Sequence, residues 1–191
     1  MADVPQVLVI TASTRAERRG EPIARWFAGL ASARSDLTVE SADLAVLDLP
    51  LLRESTPPMR ADSRDEEAEE WSRLAAAADA FVVVAGEYNH GYPAPLKNAF
   101  DHLFSEWARK PIGFVSYGAA GGGVRAVEQL RQVAIELDMV PVRHQVAIPN
   151  VWAALGADGA LLDPPGEAAE LLLDDIVWWA EVLRGARAAA A

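Results

Sequence analysis

The chain has 191 residues, 17 basic and 28 acidic, for a formal net charge of −11, with 51% hydrophobic and 24% charged residues. That length and composition describe a single domain with a full core and argue against disorder, while the acidic balance argues against a general grip on nucleic acid, because a duplex is repelled on approach. The absence of cysteine excludes disulfides, thiolate metal sites, iron–sulfur clusters and thiol redox chemistry, so any redox function must come from a bound cofactor.

Val4 to Ile10 is short, β-branched and nearly continuous, as expected of a strand buried on both faces. It follows Asp3 with no basic region, so it reads as a first strand and not as a signal peptide. Pro22 to Ala33 carries Ile23, Trp26, Phe27 and Leu30 at helical spacing. Leu37 to Ala42 alternates like a second strand, and the Pro- and Leu-rich stretch Leu44 to Met59 reads as irregular. A helix is predicted over Asp65 to Ala78, the acidic run 62–70 being its solvated start. Ala80 to Ala85 is the central strand. Pro93 to Phe104 reads as a helix, Pro111 to Tyr117 as a strand, Val124 to Leu137 as a helix, Pro141 to Ile148 as the fifth strand and Glu167 to Arg184 as the closing helix. Residues 1–187 form one domain in this reading, and 188–191 a loose tail.

Five strands alternating with helices imply an α/β fold with a parallel sheet covered on both faces. Ligands of such sheets bind beyond the carboxyl ends of the strands. Three loops there carry chemistry. Thr11 to Arg15, with Arg18, Gly20 and Pro22, offers hydroxyls, guanidinium groups and a helix start, a cradle for a phosphate; a solvated capping loop is the plainer alternative. It is neither a P-loop nor a G-x-G-x-x-G turn. Gly86 to Pro93 combines aromatics, an amide, a histidine and two glycines, suited to a flat heteroaromatic ring. Ser116 to Gly123 holds four glycines whose neighbouring amides can face a ligand. No apolar run approaches the roughly 20 residues of a membrane span, and a cytoplasmic protein is expected.

The run E-Y-N-H-G-Y-P-A-P-L-K-N-A-F-D at Glu87 to Asp101 resembles the signature P-E-Y-N-x-S-x-P-x-x-L-K-N-A-x-D of the NADPH-dependent FMN reductases. S-T-R at Ser13 to Arg15 and S-Y-G-A-A-G-G at Ser116 to Gly122 are similar to that family's phosphate loop and third flavin loop, in the same order, so the resemblance covers about residues 4 to 150. Gly86 replaces the family's usual proline, and Gly91 its frequent serine.

The resemblance implies a flavodoxin-like three-layer sandwich with strand order 2-1-3-4-5, and a homodimer or homotetramer. It implies FMN, reduced by NADPH or NADH, with electrons passed to flavin, quinone or another small acceptor. By position, Ser13, Thr14, Arg15 and Arg18 hold the FMN phosphate. Glu87, Tyr88, Asn89 and His90 line the isoalloxazine. Ser116, Tyr117, Gly118 and Gly121 meet its pyrimidine end. Hydride transfer is the cofactor's own chemistry, so no indispensable acid–base residue and no metal are expected. His90 reads as a wall or interface residue before a proton donor, Asn98 and Asp101 as serving packing or the subunit interface, and Trp152 as an edge of the site. Trp178 and Trp179 read as core or as a dimer face. An FMN electron carrier of flavodoxin type, and a relative that has lost FMN, are the alternatives.

Overall fold

The computed structural model describes residues 4–60 and 66–190. Its centre is built by the most apolar runs of the sequence. β1 (Gln6–Thr11), β3 (Ala80–Gly86) and β4 (Pro111–Tyr117) are buried almost throughout, because helices cover both faces of a parallel sheet. β2 (Thr38–Asp43) lies at the edge and is largely exposed. β5 (Val140–Pro141) and β6 (Val146–Ile148) both pair with β4. All pairings are parallel and the order is β2-β1-β3-β4-β5, the expected flavodoxin-like topology.

The fifth strand, expected over Pro141 to Ile148, is split in two. Arg131 takes the carbonyls of Val142 at 2.6 Å and Arg143 at 3.3 Å, and the amide oxygen of Gln145 at 3.1 Å. The His144 N–H goes to Asp175 at 3.1 Å. The backbone between β5 and β6 is thus bound by side chains, and the ladder is interrupted there.

α1 (Gly20–Ser32) and α7 (Gly166–Ala190) pack on one face of the sheet. α3 (Glu66–Ala77), α4 (Ala94–Asp101) and α5 (Val124–Glu136) pack on the other. Two short helices, α2 (Leu44–Leu47) and α6 (Val151–Ala154), lie in connections, α2 inside the stretch expected to be irregular. Trp107 centres the second core, with ring centroids 5.6 Å from Trp71, 4.8 Å from Phe81 and 5.3 Å from Phe100. Both indole N–H groups are satisfied, by the carbonyls of Ala99 and Phe100, so the rings are buried without a polar penalty.

The closing helix runs past the expected end at Arg184. The segment 188–191, expected as a loose tail, is helical as far as Ala190; Ala191 lies outside the described residues. Alanine is the strongest helix former, and Arg187 ties the last turns down by donating to the Arg109 carbonyl and to Asp79. Trp179 packs partly against the core, whereas Trp178 is exposed beside Leu171 and Val182 on the outer face of α7. The acidic run 62–70 lies partly outside the described residues. Among the described residues no helix is long and apolar enough to cross a membrane.

Lys110 sits buried at the start of β4, far from the carboxyl edge of the sheet. Its ammonium donates to the carbonyls of Ala75 at 2.9 Å and Ala76 at 3.1 Å, in the last turn of α3, and lies 5.6 Å from the Phe81 ring centre. Burial, aided by the nearby Arg187 charge, pushes its pKa down to about 8.

Candidate functional site

The register of β1, β3 and β4 brings the loops that follow them to one edge. Three helices begin there. α1 starts after Arg19, α4 after Pro93 and α5 after Gly123, and none of these N-caps offers a side-chain hydrogen bond to the first amides. Uncapped helix starts present N–H groups and a positive dipole end to whatever occupies the edge. The backbone is also held in uncommon conformations here, with positive φ at Glu17, Asn89, His90, Gly122, Gly123 and Asn150. Such conformations persist where packing over-determines them, and they cluster at ligand sites.

A cavity of about 280 Å³ opens between these loops, lined by Ser13, Arg15, Glu17, Arg18 and Arg19 from the first loop. Gly86, Glu87 and Tyr88 line it from the second, Tyr117 and Gly118 from the third, and Val151 and Trp152 from α6. Ser13 is buried, and its hydroxyl lies 3.2 Å from that of Tyr88. The Arg15 guanidinium stands 5.8 Å from the Tyr88 ring centre. Trp152 is 66% exposed at the rim, the edge position read for it from the sequence.

Arg18 is held differently from the other first-loop residues. It forms a two-pronged ion pair with Asp43, at the end of β2, and donates to the Ser13 carbonyl at 3.0 Å. Its charge is neutralised by a carboxylate, so it braces the first loop while lining the cavity. Asp43 also accepts from the Ala45 N–H at 3.0 Å. Thr14 is exposed and faces a separate cavity of about 200 Å³ with Asp48, Ala94 and Asn98.

The second loop is a two-residue hairpin. The N–H and C=O groups of Tyr88 and Gly91 pair reciprocally at 2.8 and 2.9 Å. Asn89 and His90 between them have φ of 51° and 71°, the two positive values of a type I′ turn. α5 props this hairpin from outside. Gln129 donates to the His90 carbonyl at 3.1 Å. Arg125 donates to His90 Nε2 at 2.8 Å and forms an ion pair with Glu87. The Glu87 side chain is only 6% exposed, and the hydrogen bond from Arg125 with its positive charge holds the carboxyl below the usual carboxylate range. Its second oxygen, Oε2, is buried with no hydrogen-bond partner. A buried acceptor without a donor, on a residue that lines the cavity, fits a ligand edge that carries N–H groups. Asn89 and His90 do not line the cavity.

In the third loop, Ser116 is fully buried, its hydroxyl donating to the carbonyls of Gly122 at 2.8 Å and Val146 at 3.3 Å. It shapes the loop from beneath. Gly123 is required by close approach: a Cβ there would meet the Ser116 Cβ at 2.8 Å and the Tyr117 backbone at 2.9 Å. Gly121 does not line the cavity. The Tyr117 side chain turns toward the first loop, and burial pushes its phenol up to about 12.

The rest of the signature is scaffold. Lys97 pairs with Asp101 one turn on, at 2.6 Å. Asn98 accepts from the Leu52 N–H at 2.9 Å and donates to the Pro50 carbonyl at 2.8 Å, and His102 Nε2 lies 2.9 Å from the same carbonyl. One face of α4 therefore fastens the strap 49–52 beside the site, which is the packing alternative of the two read for Asn98. Arg125, Gln129 and Asp43 were missed in the sequence. Only their places, just beyond the glycine-rich loop and at the end of a parallel strand, could have drawn attention to them.

Residues 5–153 match the NADPH-dependent FMN reductase family, a span that includes all three site loops. The NAD(P)H-dependent FMN reductase C4B3.06c of Schizosaccharomyces pombe is 38% identical over 152 residues, 76% of this chain and 74% of that protein. A quinone reductase of Pseudomonas putida is 30% identical over 96% of this chain and 99% of its own length. Among solved structures, the flavoenzyme NAD(P)H:(acceptor) oxidoreductase FerB from Paracoccus denitrificans superposes with a TM-score of 0.68 at 22% identity, over 95% of this chain and 98% of that one. The shared sheet order, the site loops and these relatives agree: the chain belongs to the NADPH-dependent FMN reductase family, oxidoreductases that work with FMN.

Proposed function

We propose that this protein takes electrons from NADPH or NADH through FMN and passes them to a small acceptor, a quinone or a free flavin. The family match, spanning all three loops that wall the cavity, is the observation that carries the reading. FMN, when bound, supplies the two-electron chemistry between a nicotinamide and an acceptor. The chain's residues bind, orient and shield. Ser13, Arg15 and the amides at the start of α1 hold the phosphate, with Arg18 locked to Asp43 as the brace of that loop. The Glu87–Tyr88 backbone and the Gly118 turn present the walls for the ring, and the free Glu87 oxygen is the acceptor for a ring N–H. Trp152, exposed at the rim, is the surface against which an aromatic acceptor stacks. No side chain here is assigned a proton transfer. The protein acts in the cytoplasm as a homodimer or homotetramer, and the exposed Leu171, Trp178 and Val182 on α7 are the apolar face such an assembly would cover.

The test is the visible spectrum of the protein after incubation with FMN and desalting, followed by anaerobic addition of NADPH. Retained flavin bands that bleach support the reductase. Retained flavin that neither NADPH nor NADH bleaches would point to an electron carrier. If no flavin is retained, NADPH oxidation with excess FMN separates a reductase that uses FMN as a substrate from a protein without flavin chemistry.

A further inference from the structure

Two glycines of the site, Gly20 and Gly86, are not explained by backbone conformation, since neither has a φ in the left-handed region. Space explains both. A Cβ on Gly86 would lie 2.8 Å from Cε2 and 2.9 Å from Cζ of Tyr117, and a Cβ on Gly20 would lie 2.6 Å from the Tyr117 hydroxyl oxygen. A Cβ essentially never comes so close, so a side chain at either position would force the end of this ring to shift. The side chain starts at the end of β4, passes the end of β3 and finishes against the first residue of α1. A proline at position 86, as in the family signature, would crowd the ring in the same way.

The hydroxyl ends where an anion would be held. It lines the same cavity as Ser13 and Arg15, at a helix start whose amides have no side-chain cap. The Arg15 and Arg18 charges act on it. A phosphate oxygen only accepts hydrogen bonds, so its partner must be a donor. With the phenol pushed up to about 12, chiefly by burial, Tyr117 keeps its proton across the physiological range.

We propose that the Tyr117 hydroxyl binds the terminal phosphate of the flavin nucleotide, and that Gly20 and Gly86 exist to admit it. By position alone this residue is read as a neighbour of the flavin's pyrimidine ring; its side chain reaches the opposite end of the site. The assignment rests on the reading of the protein as an FMN enzyme.

Riboflavin has the ring and ribityl chain of FMN but no phosphate. Dissociation constants for both, from quenching of flavin fluorescence, are compared in the intact protein and in Tyr117→Phe. Phenylalanine keeps the ring in its slot and removes only the hydroxyl. FMN binding should weaken about tenfold, as for loss of a hydrogen bond to a charged group, with riboflavin binding unchanged. Gly20→Ala, which favours the helix but crowds the hydroxyl, should narrow the preference in the same way, and decides the matter if Tyr117→Phe does not fold. Equal weakening of both flavins would make Tyr117 a packing residue and overturn the proposal. So would unchanged FMN binding, or intact protein that binds both flavins equally. Intact protein that binds neither would overturn the FMN reading, and this proposal with it.

Discussion

Arg125 donates a hydrogen bond to Nε2 of His90 at 2.8 Å. A guanidinium has no acceptor, so the imidazole accepts at Nε2 and carries its proton on Nδ1. The tip of the 88–91 hairpin therefore has a defined tautomer, set by a helix from another part of the chain.

That tautomer is measurable. Nitrogen-15 NMR of the intact protein at neutral pH should show His90 with a protonated Nδ1 and a bare Nε2. In Arg125→Met the preference should relax toward the Nε2–H form that a free imidazole favours. An Nε2–H imidazole in the intact protein would refute the contact.

Arg125→Met also strands the buried Glu87 carboxylate. Its loss should cost about 1–3 kcal/mol, read as a lower denaturant midpoint, and adding Glu87→Gln should return part of it. The sign with pH follows from the carboxyl being held below its ordinary 4.5. The pair's stabilisation is whole above that value and fades as pH falls through the lower folded-state value. The intact protein should therefore lose more stability in acid than the double variant does.

Lys110 acts at the other end of the pH scale. Its pKa drops from 10.5 unfolded to about 8 folded. Below pH 8 it is charged in both states and bears the whole cost of burial. Between 8 and 10.5 the folded protein releases the proton first, so stability should rise with pH, by about 3 kcal/mol at most. Tyr117, raised from 10 to about 12, has the opposite sign: its contribution is complete below pH 10 and is lost above it. Urea unfolding between pH 8 and 10 thus isolates the lysine, and Lys110→Met should abolish the upward slope.

Asn98→Ala removes both ties to the strap, the acceptor for Leu52 and the donor to Pro50. We expect a loss of about 1–2 kcal/mol and faster amide exchange at Leu52. The N–H of Trp71, bonded to a carbonyl of the same helix, should keep its protection. Equal acceleration at both would mean that the whole of α4 loosens, not the strap alone.

The sheet was legible because its strands are buried on both faces. Pro111 to Tyr117 was read with the bounds it has, and Ala80 to Ala85 falls one residue short. A continuous apolar run needs no partner to declare itself. The fifth strand was read too long, because what breaks it is Arg131, a side chain ten residues upstream on a helix. The site shows the same division. The order of the three loops was visible, and Ser13, Arg15, Glu87, Tyr88, Tyr117 and Gly118 do meet at one cavity. The direction of each side chain was not. Ser116 turns inward to Gly122 and Val146, Thr14 faces another cavity, and Arg18 is paired with Asp43. Spacing along a chain tells which loops converge; rotamers and partners from distant elements decide which atoms do.

The bare starts of α1 and α4 set stability and recognition against each other. Serine or aspartate in place of Arg19 or Pro93 would offer a helix cap, a change that elsewhere adds about 0.5–2 kcal/mol, whereas Gly123, with φ of 86° and no room for a Cβ, admits neither. At this edge the new oxygen would occupy the amides that a bound anion needs. Selection for a tougher fold and selection for a tighter ligand therefore pull these two positions in opposite directions, and a variant screened for heat resistance alone should drift toward an empty site.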